Sequence, residues 1–181
     1  MGIIAPLAGT VLVMAVALRL LNGVPAFVEN LVASPPPPQN ALDERLSYPS
    51  IEAAEKELGV KVALPSYFPS YLMWPPSSVR GQKQPARVVS ILFQSSTGQQ
   101  GLQIREIFWQ GYDLPFPVPE PLDVVQRADV DVDGVAGQLL AGSGQDSMPV
   151  NQLRWHFGGI HYILTTIYPP DELLKIARSM R

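Results

Sequence analysis

Both histidines of the chain fall in one short stretch, Leu153–Thr165, which reads LRWHFGGIHYILT. A Gly-Gly pair suits a two-residue primed turn, because both central residues can take positive φ. Closing a β-hairpin at Gly158-Gly159 sets His156 opposite His161, with Cβ atoms about 5 Å apart. Two imidazoles so placed can share a zinc ion, but a catalytic zinc needs a third protein ligand, and no other residue is singled out for that role. The plainer reading is a polar outer face. A second group is Asp129-Val-Asp131-Val-Asp133-Gly134, the first half of an EF-hand loop. That loop needs a bidentate Glu at its twelfth position, where this chain has Leu140. Valines 130 and 132 alternate with the aspartates, which puts the carboxylates on the solvent side of a hairpin. With no cysteine in the chain, there is no thiolate ligand, no disulfide and no acylated cysteine. Neither G-x-S-x-G nor H-E-x-x-H occurs, and no phosphate-binding loop precedes a helix. The expectation is a non-enzymatic protein with no catalytic, cofactor-binding or metal-binding residues and no cofactor.

Composition narrows the partners. Of 181 residues, 16% are charged and the net charge is −3. That balance gives no electrostatic reason to bind nucleic acid.

The elements that position these residues follow from periodicity. The predicted hairpin pairs Phe157 with Ile160, Trp155 with Tyr162 and Leu153 with Leu164 on one face, and His156 with His161 and Gln152 with Thr165 on the other. A helix is expected over Ile51–Leu58, capped by Ser50 and stopped by Gly59, with Ile51, Ala54 and Leu58 on one face. Residues 60–72 form a connector broken by Pro65 and Pro69, and Leu72–Trp74 opens an edge strand ended by Pro75-Pro76. Val88–Gln94 and Leu102–Trp109 read as paired strands, with Leu102, Ile104 and Glu106 on one side. Pro115, Pro117, Pro119 and Pro121 make residues 111–122 an extended loop. Val124–Val132 and Val135–Ala141 form a hairpin at Asp133-Gly134, and a polar loop covers residues 142–149. A terminal helix starts at Pro169-Pro170, with Asp171 and Glu172 at its positive end, Arg178 and Arg181 at the other, and an apolar stripe of Leu173, Leu174, Ala177 and Met180. That stripe should cover Trp155 and Tyr162. The fold class is α+β: a curved antiparallel sheet of about five to seven strands with a short N-terminal and a C-terminal helix, preceded by a transmembrane helix.

The chain begins with a different solvent in view. Ile3–Leu21 is apolar apart from Arg19 near its end, and a bilayer span needs about 20 such residues. Roughly ten Leu, Ile and Val residues at about −0.3 to −0.6 kcal/mol each outweigh an Arg that can reach the interface. A cleaved signal peptide and a buried soluble helix are the competing readings. No Lys or Arg precedes the run, and it is long for a signal core, so an anchor is expected. Ser34 and four consecutive prolines then form a semi-rigid stalk. The organisation is 1–33 membrane anchor, 34–47 Pro-rich linker, and 48–181 extracytoplasmic α+β domain.

The order of short motifs carries a resemblance. Ser50-Ile-Glu-Ala-Ala-Glu-Lys-Glu-Leu-Gly, Leu64-Pro-Ser-Tyr-Phe-Pro, Val132-Asp-Gly-Val-Ala-Gly, Leu153-Arg-Trp, Gly159-Ile-His-Tyr-Ile-Leu and Asp171-Glu-Leu-Leu-Lys-Ile-Ala-Arg-Ser-Met occur in that order. Over about residues 48–181 the chain resembles an uncharacterised bacterial extracytoplasmic domain that follows the membrane helix of anti-sigma-factor-like and lipoprotein-like proteins. The resemblance implies a non-enzymatic, single-pass, membrane-tethered sensory or binding module of the envelope. Its partners would be the membrane, through the N-terminal helix, and an envelope protein or lipid ligand. It supplies no catalytic residues. One departure is that a cytoplasmic zinc-binding segment has no room ahead of Ile3, which argues against direct sigma-factor control. The competing functions are an envelope hydrolase or metal-dependent enzyme using the histidine pair, and a structural envelope protein or lipophilic-ligand carrier.

Overall fold

The computed structural model of the protein describes residues 42–144 and 147–180. The apolar head 1–33, including the expected transmembrane helix, and most of the linker lie outside the described residues. No helix among the described residues is long and apolar enough to cross a membrane.

The described chain is one open, eight-stranded antiparallel sheet with two helices. In chain order the elements are β1 (Leu46–Tyr48), α1 (Ile51–Leu58), β2 (Ser78–Gln82), β3 (Arg87–Gln94), β4 (Gln100–Phe108), β5 (Leu122–Val132), β6 (Val135–Ser143), β7 (Pro149–Phe157), β8 (Ile160–Thr166) and α2 (Pro170–Arg178). The strands lie side by side in the order β1-β2-β3-β4-β8-β7-β6-β5. Two meanders therefore meet at β4 and β8, and residues 109–121 carry the chain across one face from β4 to the far edge.

The predicted hairpin is β7–β8, with Trp155 opposite Tyr162, His156 opposite His161 and Gln152 opposite Thr165. Gly158 and Gly159 have φ of 60° and 78°, a conformation that costs an L-residue but not glycine. The β5–β6 hairpin turns in the same way at Asp133 and Gly134, with φ of 53° and 84°. Helix α1 has its expected limits: the Ser50 hydroxyl accepts from the Ala53 amide at 3.2 Å, and Gly59 closes the helix in the left-handed region.

Two expectations are corrected. The sheet has eight strands, more than the five to seven read from the pattern. Leu72–Trp74 is no strand; only Leu72 bridges, to Ser95. The strands that went unread are β1, which takes in Leu46 and Ser47 from the stretch assigned to the linker, and β2.

Strand alternation sends Leu102, Ile104, Leu153, Trp155, Tyr162 and Leu164 to one face, where both helices cover them. Trp155 and Tyr162 stack, with ring centroids 4.8 Å apart. From α2 the buried residues are Leu173, Ile176 and Ala177; Leu174 and Met180 pack at the margin, so Ile176 replaces them in the stripe. Glu106 points into this same interior and is fully buried. The Ala63 amide donates to its Oε1 at 3.0 Å, while Oε2 has no hydrogen-bond partner. Burial, with Glu55 adding repulsion, pushes its carboxyl up to about 8.

Candidate functional site

The opposite face, expected to be a polar exterior, carries a second apolar cluster. Ala86, Val88, Ile107 and Ile163 pack with Phe116, and Leu114 and Val118 flank it from the proline loop. Register arranges this face in rows across β4, β8 and β7. One row is Ile107, His161, His156; the next is Arg105, Ile163, Arg154; the third is Gln103, Thr165, Gln152.

The loop over these rows is rich in proline, which has no N–H to donate. It can attach mainly through its carbonyls, and the sheet answers with side-chain donors. Arg154 Nη2 donates to the Pro119 carbonyl at 3.1 Å, and Gln152 Nε2 donates to the same oxygen at 3.2 Å. His161 Nε2 lies 2.9 Å from the Gly111 carbonyl; a carbonyl only accepts, so that nitrogen carries the proton. The Glu120 carboxylate is shared by Arg127 at 2.6 Å and Arg154 at 3.2 Å. Those bonds, the one from Arg127 foremost, hold its carboxyl below the usual carboxylate range.

The histidines are brought together but not aimed at a common ion. Their rings stack with centroids 4.1 Å apart and planes only 18° apart. A metal sits near the plane of each ring it ligates, and planes so nearly parallel meet on the order of 10 Å away, beyond any coordination bond. Nε2 of His161 is spent on Gly111. Burial, partly offset by that carbonyl, lowers the His161 pKa, and His156 lowers it further. Asp129, Asp131 and Asp133 are all exposed, as the alternation predicted, and Asp131 Oδ1 accepts from the Gly134 amide at 3.1 Å. No group of three or more His, Asp or Glu side chains is placed to hold a metal among the described residues.

Between the descending arm of the proline loop and the ends of β6 and β7 lies a groove of about 740 Å³. Its floor is Gln103, Arg105, Gln152 and Thr165; its walls include Pro119–Leu122, Met148 and Val150. The charges of the described lining residues are paired. Arg105 is bonded to Glu44 of the entering segment, and Glu120 is bonded to two arginines. Gln103 donates to the Ser90 hydroxyl at 2.9 Å, Gln152 to Thr165 at 3.2 Å, and Arg154 Nε to Gln152 Oε1 at 2.7 Å. What remains for a ligand is amide and hydroxyl hydrogen bonding against short apolar walls. Among the described residues the one carboxylate in the lining, Glu120, is held ionised, so it is a poor proton donor and a weak base near neutral pH.

A smaller depression of about 520 Å³ lies at the other end of the sheet. It is lined by Trp109, Phe108, Arg87 and the Lys83–Glu57 ion pair of 3.0 Å.

None of the groove residues was singled out as functional in the sequence. The one available signal was the alternation that put Gln152 and Thr165 opposite each other on the face away from the core. Searches of family models, curated proteins and solved structures found no match to the chain.

Proposed function

We propose that the protein is a membrane-tethered, non-catalytic binding module of the bacterial envelope, and that the groove is where it engages its ligand. The observation that carries this reading is the row of Gln103, Thr165 and Gln152 flooring a cavity of about 740 Å³. That volume lies in the usual range for small-ligand sites. The paired charges favour a neutral, hydrogen-bonding ligand, such as the amide- and hydroxyl-bearing part of an envelope polymer, over a bare hydrocarbon chain. The apolar head, the proline stalk and the resemblance to extracytoplasmic domains support the tether. The enzyme alternative rested on the histidine pair, and the stacked rings speak against it.

The test is a titration of the full-length protein in detergent micelles, followed by amide NMR. The probes are an N-acetylglucosamine tetramer and a neutral, end-blocked tetrapeptide. Saturable shifts at Gln103, Gln152 and Thr165, reduced by Gln103→Leu, are expected with at least one probe. Shifts confined to residues remote from the groove would refute the assignment.

A further inference from the structure

The corner of the sheet at the end of β3 differs from the rest of the surface. Two adjoining segments meet there, residues 62–79 and 88–104, and neither contains an Asp, Glu, Lys or Arg. Backbone bonds join them: the Met73 amide to the Gln94 carbonyl at 2.8 Å, the Ser77 amide to Leu92 at 2.8 Å, and the Ser96 amide to Tyr71 at 2.8 Å. The Glu172–Lys175 pair of α2 adjoins this corner, where the Tyr67 hydroxyl donates to Glu172 at 2.9 Å; Met73 and Trp74 themselves stand 51% and 61% exposed, although both are large and apolar. One face of the Trp74 ring is held against Phe93, with centroids 5.8 Å apart and planes 26° apart, and Phe68 meets it edge-on at 6.0 Å. The indole is therefore supported from behind and presented to solvent. Ser77, Gln94, Ser96 and Thr97 of the same two segments are exposed as well. An indole, a flexible thioether and neutral hydrogen-bonding groups, with no charged side chain contributed by the two segments themselves, make a composition favoured at the boundary between headgroups and acyl chains.

We propose that this corner docks on the lipid bilayer, with Trp74 and Met73 seated in the interface. The proposal rests on the tethered reading. Leu21, the last residue of the apolar run, and Leu42, the first described residue, are separated by enough chain to span on the order of 60 Å when extended. A nine-residue strand such as β4 spans roughly 30 Å. The tether therefore lets either end of the sheet reach the surface, and the choice falls to surface chemistry. The opposite end exposes Tyr112 and Phe157, but it also carries Glu57, Lys83 and Arg87 around its depression, charges that hold it in water. Tethering keeps the local lipid concentration high, so a small patch suffices to set the orientation.

The chain lacks cysteine, so Met73→Cys gives a unique attachment point for a nitroxide, and Tyr112→Cys, 85% exposed in the parent, reports the other end. Full-length protein carrying either label is reconstituted into phosphatidylcholine vesicles, floated, and measured for accessibility to oxygen and to a water-soluble nickel complex. The expected result is a label at 73 that is several-fold less accessible to nickel than the label at 112, and that becomes as accessible when Trp74→Ser is added. If the protein floats with both labels equally wet, or with 112 the protected one, docking through this corner is refuted while the tether stands. If the protein does not float, the tethered reading fails and the docking proposal falls with it.

Discussion

Replacing Glu106 by Gln should abolish most of the pH dependence of stability between about pH 4.5 and pH 8. In the fold this carboxyl is pushed from 4.5 to about 8, because it is fully buried among Leu102, Ile104 and their neighbours with one oxygen unpartnered. The raised folded value fixes the sign. Below about 4.5 the group is protonated in both states and costs nothing extra. As pH rises, the unfolded chain releases its proton while the folded chain keeps it, so stability falls until the folded carboxyl itself ionises near 8. The slope is about 1.4 kcal/mol per pH unit, or roughly 4 kcal/mol over the window. That is a large share of the 5–15 kcal/mol that holds a typical domain, and it corresponds to about 10 °C in Tm. Gln keeps the oxygen that accepts from the Ala63 amide and cannot ionise. Urea unfolding followed by circular dichroism at pH 5, 6, 7 and 8 measures the effect. The parent should lose stability steadily relative to Glu106→Gln as pH rises. His161, whose lowered pKa destabilises the fold as pH drops below 6.5, acts in the opposite direction and cancels when the two proteins are compared. Parallel curves for the two proteins would refute the reasoning.

The β7–β8 turn offers a graded test: Gly158→Ala meets no atom within 4 Å but must hold φ of 60°, so it should cost about 1 kcal/mol. Gly159→Ala adds a Cβ that would lie 2.6 Å from Gln110 Nε2 as well as a φ of 78°, and should cost more than Gly158→Ala by thermal denaturation. Arg154→Met removes the donors to Pro119, Glu120 and Gln152; it should destabilise by about 2 kcal/mol through lost charge-assisted bonds. The same change should raise protease cleavage within residues 109–121, and equal cleavage in both proteins would count against the clamp.

Local chemistry made some of this legible and hid the rest. Two glycine-containing turns announced the register of both C-terminal hairpins, though not the outer ends of β5, β6 and β7, because a primed turn sets register as well as position. Glu106 was placed on the apolar side of its strand by alternation alone, but its burial depends on the segment around Ala63, which no period reveals. Strand β2 reads Ser-Val-Arg-Gly-Gln and has little apolar signal. It exists because it is sandwiched between β1 and β3, and Gly81 is small so that Tyr48 and Leu58 can close over it, where a Cβ would come within 3.0 Å of each. The groove was invisible for a related reason. Its floor joins the β7–β8 hairpin to β4, a strand distant in sequence, and its wall is a loop whose prolines mark it as irregular without saying where it lies. Phe116 buried beneath that loop shows that an extended, turn-rich stretch can still bear a core residue.

The seam between the two meanders has a kinetic consequence. Every other strand pair except β1–β2 joins consecutive strands through a short connection and can zip early. The β4–β8 pairing joins Phe108 to Ile160, 52 residues apart, with the whole outer ladder of β5, β6 and β7 made in between. Loop closure of that size is slow compared with hairpin formation, so the two ladders should exist as separate half-sheets before they are stitched. Until then, each half displays Ile104 or Leu164 along an open edge, and the newly made chain is most prone to stick to its own copies in that interval.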